Sequence, residues 1–219
     1  NSMGAKITGL GTDTITIEGV DELHDGEITV IPDRIEAGTY MMIGTLLGNN
    51  LKIDGIIPEH LTSVISKLKE AGASLNVKDN HVIINKVDKL EPVNIKTLVY
   101  PGFVTDLGQP MSTLLTQCEG TSIFEETIYE NRMRHIKYLN KMGANIDLDG
   151  KVAMIHGKTC LHGETVEATD LRAGAAMLLA GMIAKGTTTI TNIEHILRGY
   201  ENIVTKLTTV GANIKIIDE

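Results

Sequence analysis

Three glycines at nearly even distances constrain this chain more than any other feature. The phrase EAGAS (70–74) returns as KMGAN (141–145) and as TVGAN (209–213). Gly72, Gly143 and Gly211 are thus 71 and then 68 residues apart. A second set, Gly48, Gly120 and Gly186, precedes them by 24, 23 and 25 residues. A third set is acidic: Asp33, Asp106 and Asp170 precede that second set by 15, 14 and 16 residues. Matched landmarks at a fixed period are the mark of an internal repeat. The chain therefore reads as three copies of one unit, at about 21–90, 91–158 and 159–219.

Each copy has the same expected plan, and the fold class is α/β. An Asp opens a largely apolar helix, as an N-cap carboxylate does when it accepts from first-turn N–H groups. A glycine closes that helix at a position of positive φ. A short strand follows: NLKIDG, SIFEET or TTTITN. Next comes an amphipathic helix ended by the repeat glycine. In PEHLTSVISKLKEAG the apolar residues Leu61, Val64, Ile65 and Leu68 lie on one helical face. ENRMRHIKYLNKMG and RGYENIVTKLTTVG are read alike, and a last strand follows in ANIDLDG and ANIKIID. HVIINK, VAMIHG and EITVIP are expected as further strands linking the units.

The helix LRAGAAMLLAGMIA is apolar on nearly every side, which calls for burial all round. Three such helices in parallel at the centre would bring their N-termini to one end and make an anion site. Arg172 opposes the dipole of its own helix, so its expected partner is a ligand in front of the helix ends.

Composition bounds the rest. Hydrophobic residues reach 42% but aromatics only 3%, and Trp is absent, so the core is aliphatic. The net charge of −8 argues against nucleic acid as a partner. The two cysteines, Cys118 and Cys160, have no metal or CxxC spacing, and Cys118 reads as core packing. The seven histidines show no ligand spacing, so neither metal nor cofactor is expected. No apolar run has the length of a membrane span and no leader is visible; a cytoplasmic location without membrane partners is expected.

Four stretches in order carry a specific resemblance: YPGFVTDLGQP (100–110), EETIYENRMRHI (125–136), ATDLRAGAAMLLAG (168–181) and HILRGYENIVTKLTTVGANI (195–214). With IPDRIEAGT (31–39), they resemble the UDP-N-acetylglucosamine enolpyruvyl transferase family from about residue 8 onward. The resemblance implies an inside-out α/β barrel domain with three repeats around buried parallel helices. It also implies that this chain is the C-terminal half of a two-domain enzyme, with residues 1–20 the tail of the other domain and 21–219 one domain. The implied reaction joins phosphoenolpyruvate to the 3-hydroxyl of UDP-N-acetylglucosamine and releases phosphate, the first committed step of peptidoglycan synthesis.

Carried over by motif, Asp106 contacts and deprotonates the sugar hydroxyl, and Ile128 meets the uridine nucleotide through its backbone. Arg198 binds phosphoenolpyruvate, Asp170 and Arg172 lie near the reacting groups, and Arg34 and Arg132 sit in matching motifs. The family's Lys-Asn pair and reactive-cysteine loop are absent, so the chain alone is expected to be inactive. Val104 and Gly108 stand where the family has Pro and Gln. Two alternatives stay open: a non-catalytic ligand-binding fragment, and a transferase acting on shikimate 3-phosphate. Apolar surface on the open cleft face would favour self-association.

Overall fold

The computed structural model describes residues 1–217 and divides into two units, Asn1–Pro32 and Asp33 onward. The first unit holds one antiparallel hairpin, β1 (Lys6–Thr8) with β2 (Thr16–Glu18), joined through the register Ile7↔Ile17. Residues 21–32, expected at the head of the larger domain, group with this first unit. The strand expected in EITVIP does not form. Ile28 and Val30 have the β-branched alternation of a strand but are both 86% exposed and have no ladder partner. Propensity without a neighbour to bond does not make a strand.

The second unit repeats its element order. The first copy is α1 (Arg34–Leu47), β3 (Leu51–Asp54), α2 (Thr62–Glu70), β4 (Ser74–Lys78) and β5 (His81–Asn85). The second is β6 (Ile95–Lys96), α3 (Gly108–Leu115), β7 (Gly120–Glu125), α4 (Ile136–Lys141), β8 (Ile146–Asp149) and β9 (Val152–Gly157). The third is β10 (Thr165–Glu167), α5 (Leu171–Ile183), β11 (Thr189–Thr191), α6 (Glu194–Leu197) and α7 (Ile203–Thr209). The sheets run β3-β5-β4, β6-β7-β9-β8 and β10-β11. The two-strand third sheet departs from expectation: no strand forms over 212–217, and the end of ANIKIID lies outside the described residues.

The repeat glycines behave alike in all three copies. Gly72, Gly143 and Gly211 have φ of +87°, +99° and +100°. After each, an alanine N–H returns to a carbonyl five residues back: Ala73 to Leu68, Ala144 to Leu139, Ala212 to Leu207. Each glycine N–H bonds the carbonyl three back, completing the Schellman geometry that only a left-handed residue allows. In the other set Gly120 and Gly186 have the expected positive φ, +138° and +92°, and Gly48 departs from it. Its φ is −63°, and its place is fixed by close approach, since a Cβ there would meet the Gly44 carbonyl oxygen at 2.5 Å.

Helices α1, α3 and α5 form the centre, with sheets outside, an inside-out arrangement. Met41, Met42, Leu107, Met111, Leu114, Ala176 and Leu179 are buried between them. Buried hydroxyls on these helices bond backward along the helix: Thr39 Oγ1 to the Ile35 carbonyl (3.0 Å) and Thr45 Oγ1 to Met41 (2.9 Å). Thr113 Oγ1 crosses from α3 to the Ala176 carbonyl of α5. Leu61, just before α2, and Val64, Ile65 and Leu68 on it are all buried as their spacing predicts, each worth about 1.5–3 kcal/mol of apolar burial. Cys118 is fully buried at the end of the second central helix, and burial pushes its thiol up to about 12, as suits a packing residue.

At the end of β9, Gly157 sits within the carbonyls that end α3. A Cβ there would collide with the Cys118 oxygen and come within 2.9 Å of Thr116 and 3.1 Å of Leu115. The chain between β9 and β10 then anchors on the same helix end, Thr159 N–H donating to the Thr116 carbonyl.

Candidate functional site

The starts of the central helices carry the charged residues singled out above, and they are not equivalent. Asp33 and Asp170 cap as expected. Both have extended backbone, φ −74°, ψ 108° and φ −160°, ψ 175°. Asp33 accepts from Ile35 N–H at 2.7 Å, and Asp170 from Arg172 and Ala173 N–H at 2.9 and 3.0 Å. Asp106 does not cap, which corrects the expectation that an Asp opens every central helix. It lies inside a 3-10 turn, Thr105–Leu107, whose extended flanking residue is Val104 (φ −74°, ψ 132°). A cap needs extended backbone at the residue that carries the oxygen. Here that residue has none, and the Asp106 carboxylate is free for other partners.

Those partners are two arginines. Arg132 Nη2 donates to Asp106 Oδ1 at 2.6 Å, and Arg172 Nη2 to Oδ2 at 2.9 Å. Arg132 comes from the loop before α4 and Arg172 from the first turn of α5. Their side chains are 11% and 15% exposed and that of Asp106 32%. Arg172, expected to face a ligand, is thus paired with a carboxylate ahead of the neighbouring helix. Each carboxylate oxygen has two acceptor sites, so one guanidinium on each leaves both able to accept a further hydrogen bond.

Arg132 is further ordered by Nε on Thr105 Oγ1 (3.3 Å) and by its guanidinium 4.4 Å from the Tyr129 ring centroid. Gly108, one turn on, leaves room for Phe124, whose Cζ would lie 2.6 Å from a Cβ at that position. The departure from the family pattern there is matched by an aromatic ring beneath the turn.

The other candidates are placed less centrally. Ile128 has a half-exposed side chain, and its backbone N–H is already given to Glu126 Oε1 (2.8 Å). Any backbone contact to a ligand at Ile128 must therefore use its carbonyl. Arg34 lies over the Tyr100 ring, 4.9 Å from the centroid, and has no ion pair among the described residues. Arg198 follows α6 in an exposed turn and is not drawn into the Asp106 cluster. Its neighbour Gly199 lets that turn approach Leu171 at the start of α5. Two residues on, the buried Tyr200 hydroxyl bonds Thr39 Oγ1 at 2.9 Å. Arg134 is exposed in the turns before α4, which begins only at Ile136 and so covers less of ENRMRHIKYLNKMG than its pattern predicts.

Sequence reasoning passed over a polar layer behind the cluster. Glu126 is 1% exposed and accepts four hydrogen bonds. Its signal was the two-residue alternation of β7, which buries Ser122 and Phe124 and continues one residue past the strand to Glu126. His135 is also fully buried, with Nε2 2.6 Å from Ser112 Oγ, and stands one turn before buried Leu139. Gln109 Nε2 donates to the Arg132 carbonyl.

Burial pushes the His135 imidazole down to about 4. An unfolded histidine titrates near 6.5, so between those values only the unfolded chain takes up the proton. This group's contribution is therefore present above about pH 6.5 and is lost as the pH falls toward 4. His135→Gln is expected to remove about 2–3 kcal/mol of the stability difference between pH 7 and 4.5. Urea unfolding of both chains at the two pH values checks this; equal differences would rule it out.

The geometry above coincides with a family match. The EPSP synthase (3-phosphoshikimate 1-carboxyvinyltransferase) family matches residues 1–207. The chain belongs to the EPSP synthase family. Within it, the chain is 53% identical over 97% of its length to UDP-N-acetylglucosamine 1-carboxyvinyltransferase 2 of Bacillus cereus, covering 50% of that protein. To the protein of the same name from Listeria monocytogenes it is 48% identical, again over 97% of this chain and 50% of the relative. The chain thus spans about half the length of the curated relatives it matches. Among solved structures, the enolpyruvyl transferase NikO from Streptomyces tendae superposes with a TM-score of 0.88 at 30% identity, covering 98% of this chain and 52% of the other. An EPSP synthase from Acinetobacter baumannii, at 18% identity and a TM-score of 0.78 over 99% and 54%, shares the fold. The resemblance read from the motifs holds. No described helix is long and apolar enough to cross a membrane.

Proposed function

We propose that this EPSP-synthase-family chain supplies one wall of a site that transfers the enolpyruvyl group of phosphoenolpyruvate to the 3-hydroxyl of UDP-N-acetylglucosamine, with release of phosphate, in cytoplasmic peptidoglycan synthesis. The observation that carries the reading is the Asp106 carboxylate held between Arg132 and Arg172. The names of the relatives that share about half of this sequence support the substrate.

In the overall reaction the hydroxyl oxygen bonds C2 of phosphoenolpyruvate, the C2–O bond to phosphate breaks, and the hydroxyl proton leaves with the products. A carboxylate fixed by two guanidinium groups, with acceptor sites to spare, can orient that hydroxyl and take its proton. Asp170 keeps Arg172 in place through the backbone N–H it caps. Arg172 and Arg132 put positive charge beside oxygens that gain negative charge during transfer. Arg198, exposed and without an ion pair among the described residues, is by its motif the proposed ligand of phosphoenolpyruvate, with Arg34 as a further cation. Ile128 offers its carbonyl to the nucleotide. The remaining groups the reaction needs belong to the other wall, in the part of the relatives that this chain does not span.

Calorimetric titration of the chain with UDP-N-acetylglucosamine, wild type against Asp106→Ala, tests the reading. Weak binding by the wild type, lost in the variant, is expected. Equal binding by both would remove Asp106 from the site, and preferential binding of shikimate 3-phosphate would replace the substrate.

A further inference from the structure

The Glu126 carboxylate joins the two parts of the site that would have to act on one ligand. Oε1 accepts from Thr97 Oγ1 (2.8 Å) and from the backbone N–H groups of Ile128 (2.8 Å) and Tyr129 (2.9 Å). Oε2 accepts from Thr105 Oγ1 at 2.7 Å. Thr105 precedes Asp106 directly, and its oxygen also accepts from Arg132 Nε. A continuous chain of hydrogen bonds therefore runs from the Ile128 loop through Glu126, Thr105 and Arg132 to Asp106 and on to Arg172. Thr97 closes it from below, donating to Glu126 and accepting from Thr127 N–H at 2.8 Å.

A buried carboxylate is costly unless its lone pairs are filled, and this one has four donors. Hydrogen bonds to an ionised acceptor are short and strong, so they hold their donors in narrow positions. None of the donors is a lysine or arginine, so the charge is met by two hydroxyls and two backbone N–H groups. Such a residue serves to fix backbone at least as much as to add stability.

We propose that Glu126 is a positioning residue which, through Thr105, sets the distance between the Asp106 carboxylate and the Ile128 carbonyl, and so the span of ligand that reaches from one to the other. It touches neither substrate nor the reacting atoms. The inference rests on the nucleotide-sugar reading above for the identity of the ligand, but the coupling itself is a property of the chain.

Thr105→Val removes the hydroxyl while keeping the shape, and Thr105→Ser returns it, so neither depends on a variant of Glu126 itself folding. Two readouts are taken on the full 219-residue chain. One is the amide resonances of Ile128 and Tyr129; the other is the dissociation constant for UDP-N-acetylglucosamine. Thr105→Val is expected to shift both amides, though residue 105 bonds neither, and to weaken binding about tenfold. Thr105→Ser is expected to restore both. Unmoved amides and unchanged affinity in Thr105→Val, or a serine variant that behaves as the valine one does, would overturn the proposal. A wild-type chain that binds no nucleotide sugar would instead overturn the substrate reading, and the amide shifts alone would then decide the coupling.

Discussion

Asp106→Ala is expected to cost both binding and stability. Removal of the carboxylate leaves two guanidinium groups, 11% and 15% exposed, facing one gap with no anion between them. Deleting one partner of a buried ion pair costs more than the pair contributes, because the remaining charge is stranded. Here two charges are stranded and repel each other, while the partial exposure of the gap admits water. A loss of about 2–4 kcal/mol in urea unfolding at neutral pH follows. Asp106→Asn keeps one acceptor oxygen and should fall between. The diagnostic variant is Asp106→Ala combined with Arg132→Met, which removes the repulsion and is expected to recover part of the loss. An Asp106→Ala chain as stable as the wild type would mean that solvent already neutralises both arginines and that the carboxylate does not organise them.

Gly157→Ala is expected to be strongly destabilising for a single methyl group. The three carbonyls around the missing Cβ are backbone at the end of α3, so no side-chain rotation relieves the contact. Either β9 or the helix end must move, and Thr159 N–H loses its place on the Thr116 carbonyl. Overpacking costs about 1–3 kcal/mol and occasionally more, and unyielding backbone on three sides places this site at the upper end, about 3 kcal/mol. Gly150→Ala is the control. It has φ of +57° and nothing within 4 Å of a Cβ, so only left-handed strain is added, about 1–2 kcal/mol. Thermal unfolding of the two variants should rank them in that order, and equal losses would show that the β9 end yields more easily than its surroundings imply.

Features that depend on near neighbours in the chain were legible in the sequence. The Schellman ends at Gly72, Gly143 and Gly211 involve residues within five positions of one another, and so do the caps at Asp33 and Asp170. The apolar stripe of α2 reads directly as burial. Partnership across the fold was not legible. Asp106 looks like its counterparts in the repeat, yet its two arginines lie 26 and 66 residues away. Nothing local tells that its turn is tighter and that Val104 takes the capping place. The failed strands at 27–32 and 212–217 have the same root, since a strand is completed by a partner and not by its own pattern. Glu126 and His135 were missed as well. Both lie at positions whose spacing fits burial, but a buried acid or imidazole is recognisable only from the partners that satisfy it, and those come from other elements: Thr97 and Thr105 for Glu126, and Ser112 for His135.

Two contacts bring the first repeat to the third. The Thr39 and Tyr200 hydroxyls meet across 161 residues, and Lys206 bonds Glu36 across 170, at 2.8 Å. An open solenoid can add repeats one at a time, each satisfied by the one before. A ring cannot. As the chain leaves the ribosome, α1 must wait with one flank uncovered until Tyr200 and Lys206 have been made, nearly the whole unit later. Contacts of such long sequence separation come late and slow the search. The nascent first two repeats are accordingly the stage at which this chain exposes its methionine-rich helix α1 and is most open to aggregation or to chaperone capture.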